Sequence, residues 1–561
     1  MSHLNVPAMN RRTFLGGALA TGAMIAMAGH GATAALADAP EGAVQGGDLK
    51  YYLTNPVGIE PFSAEENQGV SVMINTYDPL CTYDWEKGEV VPLAAESWDV
   101  NDDATQFTFH LRKECTFHNG NPVTSKDFKY AWERLCKSDF KPSPSTLGYK
   151  LSQVKGADEM MKGEGTELDV ECPDDYTFVV NLKAPFADFP SIAAEIATAP
   201  VPAGCTDTEE DFQKFRVSPI GNGPFMMDGE WVDSQYIKIK RYDGYWGEKP
   251  LIDSVTFSIY TDDQTAWTEF MAGNLDFTII PSGQFQTAVT MYGTADEDGL
   301  LANPGKQTYN GDESSIYYML CNNKDDVMSN PDVRIAISYA MNRQAMCDSI
   351  FQGFRAPASN ILVPGVPGFE DGAWDHCPAE GDKDKAAEYF DKAGYPLGSD
   401  GKRGLSLTLS CNSGASNEDI MTMVQADLAQ CGVDATVDVQ EWAAYIDAVQ
   451  GGTYQIGRMG WVVQVPYADG LLQPLLYTGS GDNNSQYSNP DFDAAIDKAR
   501  TIVDDDERIK AYQEANKIAA ADFPVIPMFY YKHTYVASSR VNNMYLNPAT
   551  YSRMTQCWLT V

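Results

Sequence analysis

Residues 405–440 constrain the fold more than any other part of the chain. An alternating run at 405–411 reads as a strand, 417–431 as an amphipathic helix, and 433–440 as a second strand. A strand, helix and strand in that order demand parallel pairing with a right-handed crossover. The chain therefore belongs to the α/β class. Helix 383–393 precedes this unit and stops at Gly394 with Pro396 beyond, a proper termination signal. Residues 332–343 read as another amphipathic helix after a strand at 317–323.

A second informative block lies at 96–135. Phe107, Phe109 and Leu111 alternate with polar residues, so one face of that strand is buried. His118-Asn119-Gly120-Asn121-Pro122 is a turn, because Asn-Gly tolerates positive φ and Pro fixes the next φ. Thr124 or Ser125 then caps a helix carrying Phe128, Ala131, Trp132 and Leu135. Further along, residues 173–190 read as a strand carrying Tyr176, Phe178, Val180 and Leu182 and ending in Lys183-Ala184-Pro185-Phe186, and a Gly221-Asn222-Gly223-Pro224 loop follows. That loop lacks the third glycine of a dinucleotide fingerprint. Arg241-Tyr242-Asp243-Gly244-Tyr245-Trp246, Gly273-Asn274-Leu275-Asp276 and Pro524–Tyr531 complete the ordered text.

Composition excludes several functions. The 561 residues carry 78 acidic against 40 basic side chains, a net charge of −38. Nucleic acid and anionic membranes both need a basic face, so this excess argues against either as a partner. The length corresponds to about three domains. Tyr and Trp together number 39, and core packing accounts for most of them. The eleven cysteines include no Cys-x-x-Cys, and their odd number leaves at least one thiol unpaired in a monomer. His376-Cys377 reads as a surface loop, and His110, Cys115 and His118 as ordinary hairpin residues. Six histidines make direct metal chelation a poor reading, and no cofactor is implied. Gly-x-Ser-x-Gly and His-Glu-x-x-His are missing, which argues against an exported hydrolase.

At the start of the chain, Asn10-Arg11-Arg12-Thr13-Phe14-Leu15-Gly16 matches a twin-arginine export signal. The Gly- and Ala-rich stretch after it is too short and too weakly apolar to span a bilayer. Ala35-Leu36-Ala37 is a small-x-small cleavage site, leaving Asp38 first. No Cys precedes Cys81, so no lipid-anchoring cysteine is expected and the mature chain should lie free outside the cytoplasmic membrane.

Taken together, Glu96-Ser97-Trp98, Phe109-His110-Leu111-Arg112 and the 119–134 block resemble the family 5 solute-binding proteins of ABC importers, the oligopeptide- and dipeptide-binding type. The other segments quoted above resemble that family in the same order. The resemblance implies an α/β fold of periplasmic-binding-protein type, class II-like, with two lobes, a hinge and three discontinuous domains. The expected division is a signal at 1–37, a first-lobe domain at 38–78 plus 223–315 plus 520–561, an extra first-lobe domain at 79–222, and a second lobe at 316–519. It implies a monomer without catalysis that captures peptides by hinge closure and delivers them to an ABC permease, having crossed the membrane through the twin-arginine translocase.

The same resemblance places Trp442, Arg458, Trp461 and Glu65 in the cleft. The tryptophans would flank a peptide and Arg458 would pair with a carboxylate. Core packing is the competing reading for both tryptophans. One departure stands out. Gln464 occupies the place where the oligopeptide binders carry an aspartate for the peptide ammonium, and Ser416 stands where some carry a histidine. Either Asp469, Tyr467 or Glu65 takes over the ammonium, or the ligand lacks a free amine. An oligosaccharide, a metal complex, haem or a modified peptide stays open as the alternative ligand.

Overall fold

The computed structural model describes Pro40 and residues 42–560 other than Ala415, within the unit Ala39–Val561. The export signal with Arg11 and Arg12, and its cleavage site, lie outside the described residues. Three principal sheets organise the rest.

The first lobe is built on a seven-stranded sheet. Its order is Thr308–Tyr309, Tyr535–Ala537, Phe277–Ile279, Asp48–Leu53, Ser254–Ile259, Tyr236–Arg241 and Phe225–Met227. Asp48–Leu53 runs parallel to Ser254–Ile259 over its whole length. Leu49, Tyr51 and Leu53 alternate into a core with Val255, Phe257 and Ile259.

The second lobe has a six-stranded sheet ordered Arg355–Pro357, Val525–Lys532, Asp312–Cys321, Ile456–Val462, Ser406–Asn412 and Asp434–Gln440. Ser406–Asn412 and Asp434–Gln440 pair in parallel, as the strand-helix-strand pattern requires. The helix between them, Asn417–Gln430, buries Ile420, Met421, Val424 and Leu428, the spacing of one helical face. Glycine at 394 has φ of +94°, which is why helix Lys383–Lys392 ends there.

The extra domain carries an antiparallel sheet of Ala95–Val100, Gln106–Leu111, Thr177–Asn181 and Val170–Asp174. Thr124 is the N-cap of helix Ser125–Cys136, and the Asp127 carboxylate accepts from the Thr124 amide at 2.8 Å. That helix buries Trp132 completely, with its indole N–H donating to the Thr198 carbonyl at 2.9 Å. Truncating a buried tryptophan of this kind costs about 3–5 kcal/mol.

Two kinds of junction join these bodies. The chain leaves for the extra domain at Asp78 and returns at Asn222, and one side chain ties the two passes together. Asn222 accepts from the Asp78 amide and donates to the Asp78 carbonyl, both at 2.9 Å. A Cβ on Gly221 or Gly223 would meet Thr76 backbone atoms at 2.0 and 2.6 Å, so only glycine permits this approach. The extra domain is thereby fixed to the first lobe.

The two sheets of the lobes are linked differently, by short extended crossings at 310–311 and 533–534. The crossings touch through the His533 amide donating to the Gly311 carbonyl at 2.8 Å, beside a Lys532–Asp312 ion pair at 3.0 Å. This placement corrects the division read from sequence. Strand Val525–Lys532 pairs with Asp312–Cys321 in the second sheet, whereas the sequence reading gave 520–532 to the first lobe and began the second at 316. An apolar strand carries no local mark of which sheet it joins, so its destination is set by tertiary pairing.

All eleven cysteines are free thiols. Cys377 is buried and the His376 ring packs against Tyr339, Tyr389 and Phe523, so this segment is not the plain surface loop expected. No helix of the described residues is long and apolar enough to cross a membrane.

Candidate functional site

A cavity of about 700 Å³ opens between the lobes. Its second-lobe wall is the strand Ile456–Val462 and the chain that follows it. This strand is paired along one edge with Asp312–Cys321, but on its other edge it meets Ser406–Asn412 only at Ile456. The Arg458 amide and carbonyl face that second edge, where both meet the Tyr445 hydroxyl at 2.6 and 2.7 Å. In an antiparallel ladder, alternate residues share an edge. Gly460 and Val462 therefore turn their N–H and C=O groups to the same open side, and both line the cavity. The site thus offers an unpaired strand edge, the template that an extended chain can extend.

Five of the eight expected binding residues line this cavity: Glu65, Trp442, Trp461, Gln464 and Tyr467. Trp442, at the start of helix Trp442–Gln450, is 52 % exposed, so core packing does not explain it. Trp461 is half-buried and its indole N–H donates to the Gly470 carbonyl at 3.2 Å, which fixes its ring plane. Glu65 accepts a hydrogen bond from Thr146 of the extra domain. Gln464 faces the Tyr551 hydroxyl, which donates to Asn67 at 2.8 Å.

The other three stand elsewhere. Asp469 is buried at the start of helix Asp469–Leu476 and makes a two-pronged ion pair with Arg500 at 2.7 and 2.8 Å. A carboxylate so engaged is not free to receive a ligand ammonium, and its expected role is withdrawn. Ser416 holds φ of +61° before helix Asn417–Gln430 and does not line the cavity. Arg458 sits behind the wall, with its guanidinium 5.6 Å from the Trp442 ring and bound to Asn412. It backs the tryptophan without lining the cavity.

Sequence reasoning missed a charged group on the opposite wall. Lys150 is paired with Glu195, and both line the cavity with Asp482 of the second lobe. Burial pulls the Lys150 ammonium down, but Glu195, Tyr149 and Asp482 outweigh it and hold the pKa above the ordinary lysine value. Burial raises the Asp482 carboxyl, against the pull of Lys150. The charged groups lining the cavity are therefore Glu65, Glu195, Asp482 and one lysine, a balance that favours a cationic group on the ligand.

Beside the cavity the lobes meet through buried charge. Asp188 of the extra domain accepts from Arg508 at 3.0 Å and lies 3.2 Å from the Tyr512 hydroxyl, both on helix Asp505–Asp522 of the second lobe. Tyr512 also lies 3.3 Å from Asp469, and the Arg500 guanidinium stands 5.3 Å from the Phe186 ring. Burial pushes the Asp188 carboxyl up to about 6, the Arg508 charge opposes the rise, and the neighbouring Asp469 adds to it. Four charges and a phenol thus span the interlobe contact.

Comparison with known proteins agrees with this architecture. The chain is 28% identical over 505 residues to the periplasmic oligopeptide-binding protein OppA of Haemophilus influenzae, covering 86% of this chain and 89% of that one. It is 26% identical over 498 residues to the oligopeptide-binding protein OppA of Bacillus subtilis, covering 88% of each. The solved structure of the periplasmic binding protein DppA from Helicobacter pylori, in complex with peptide STSA, superposes with a TM-score of 0.75 at 23% identity, covering 92% and 98%. Residues 89–483 match the profile of the bacterial extracellular solute-binding proteins, family 5. Two lobes, an interlobe cavity and a match across most of the chain place this protein in that family of bacterial extracellular solute-binding proteins.

Proposed function

We propose that this chain is the substrate-binding component of an ABC importer and that it carries short peptides, without catalysis of its own. The open edge of strand Ile456–Val462 inside the interlobe cavity carries this reading. A peptide backbone lying along Gly460 and Val462 would gain main-chain hydrogen bonds independent of its sequence. Trp442 and Trp461 would flank it with flat apolar faces. With Asp469 committed to Arg500, Glu65 is the acid of the original three candidates left facing the cavity, and beyond the Lys150–Glu195 pair Asp482 adds negative charge. An ammonium is the natural occupant of that field. We further propose export through the twin-arginine signal at Arg11 and Arg12, an extracytoplasmic location, action as a monomer, and delivery to a membrane permease.

The test is thermal shift of the chain from Asp38 onward against di- to pentapeptides with free and acetylated N-termini, oligosaccharides and haem. A ligand at about a hundredfold over its Kd adds roughly 2.7 kcal/mol. Free-amine peptides are expected to give that shift. A response confined to oligosaccharides or haem would overturn the peptide reading.

A further inference from the structure

The interlobe cavity has an annex. A second cavity of about 180 Å³ shares Glu195, Gln464, Val465 and Tyr551 with the first, so the two adjoin across those side chains. Apart from Gln464 and Val465, its walls belong to the first lobe and the extra domain, and they are of a different kind from the cleft. Ile74, Leu93, Ile196 and the Trp85 ring make them apolar, and Tyr545 and Arg553 add polar ends. A cavity of about 150 Å³ with apolar walls is large enough to hold a benzene ring.

Arg553 gives the annex its chemistry. Its Nη2 donates to the buried Asp78 carboxylate and to the Tyr245 hydroxyl, both at 2.7 Å. Asp78 holds that side of the guanidinium in place, while Nε and Nη1 find no acceptor among the described residues. Both forked edges of a guanidinium include Nη2, so with Nη2 engaged the Nε–H and Nη1–H groups each offer a single donor to a carboxylate or carbonyl oxygen. Glu195 at the shared rim is neutralised by Lys150, so it does not bar an acceptor from passing. At the same rim, Gln464 presents a neutral amide between the two cavities.

We propose that the annex is a second ligand subsite that takes a compact aromatic or apolar arm ending in a hydrogen-bond acceptor for Arg553. This deepens the proposed function, since the arm belongs to a ligand whose backbone lies in the cleft. It makes one position of the ligand strongly selected, where the open strand edge selects nothing.

The probe is 3-phenylpropionate, with propionate as control, followed through the Trp85 indole N–H resonance of the full mature chain. Phenylpropionate is expected to give a saturable shift, at least about tenfold tighter than propionate, because only it buries a ring. Ala194→Phe, which fills the annex, is expected to abolish the shift. Arg553→Lys, which keeps the charge beside Asp78 but removes the Nε and Nη1 donors, is expected to weaken binding severalfold. Should Ala194→Phe fail to fold, Arg553→Lys alone decides. Absence of a saturable shift, or equal binding by both variants and the parent chain, would overturn the proposal. Alanine tetrapeptide run alongside separates the two readings. If it binds and phenylpropionate does not, the annex proposal falls alone. If phenylpropionate binds and no peptide does, the peptide reading falls and the annex stands.

Discussion

Acidification should favour closure of the lobes, and Asp188 should be the reason. When the lobes part, Asp188 loses Arg508 and Tyr512 and returns to water, where an aspartate titrates near 3.9. In the closed structure burial holds it at about 6. A raised carboxyl adds stability that is complete below the open-state value and is lost as pH rises through the closed-state value, so closing takes up a proton between about pH 4 and 6. With those two values, the step from pH 7 to pH 5 favours closure by about 1.3 kcal/mol, close to tenfold in the closed-to-open ratio. The groups facing Asp188 are Arg508, Tyr512 and Asp469, with Arg500 and Asp505 behind them. Asp188→Asn keeps the shape and removes the titration. Small-angle scattering of the ligand-free chain at pH 5 and pH 7 reads the closed fraction. The parent chain is expected to gain nearly tenfold more than the variant over that step. Equal gains in the two chains would refute the argument.

Four other outcomes follow from named contacts. Trp442→Ala should weaken peptide binding by about 1–3 kcal/mol while leaving Tm unchanged, because the ring is half-exposed in the free chain; a fall in Tm with intact affinity would restore the core reading. Gln464→Asp should tighten free-amine peptides if their ammonium lies at this rim, and calorimetry showing no gain would place the ammonium at Glu65. Arg134→Met strands the buried Glu60 carboxylate and should cost about 3–5 kcal/mol in denaturant unfolding. Gly223→Ala drives a Cβ into the Thr76–Tyr77 backbone and should cost about 1–3 kcal/mol, with the extra domain loosening first in proteolysis.

How much of this was legible in sequence depends on the distance over which each feature is determined. The parallel pair around helix Asn417–Gln430 and the stop at Gly394 lie within a few residues and are legible locally, and the helix cap was narrowed to Thr124 or Ser125, of which Thr124 holds it. The cavity wall from Trp461 to Tyr467 was legible as one local segment, and Trp442 and Glu65 join it in space. Asp469 was misread because its neutralising partner, Arg500, lies on another helix, and an isolated aspartate next to a binding motif looks available. Lys150 and Glu195 were missed since neither sits in a recognisable pattern; they become a site only when the extra domain folds against the cleft. The Asp188 to Arg508 contact links residues far apart in the chain, and no local spacing announces it. Strand Val525–Lys532 was assigned to the wrong lobe for the same reason.

Amide hydrogen exchange at Gly460 and Val462, with and without the tightest peptide of the panel, tests the central claim most directly. If the ligand lies along the open strand edge, both amides should exchange at least about tenfold more slowly in the complex, as paired strand amides do. Tight peptide binding with unchanged exchange at both positions would contradict the account and put the ligand elsewhere in the molecule.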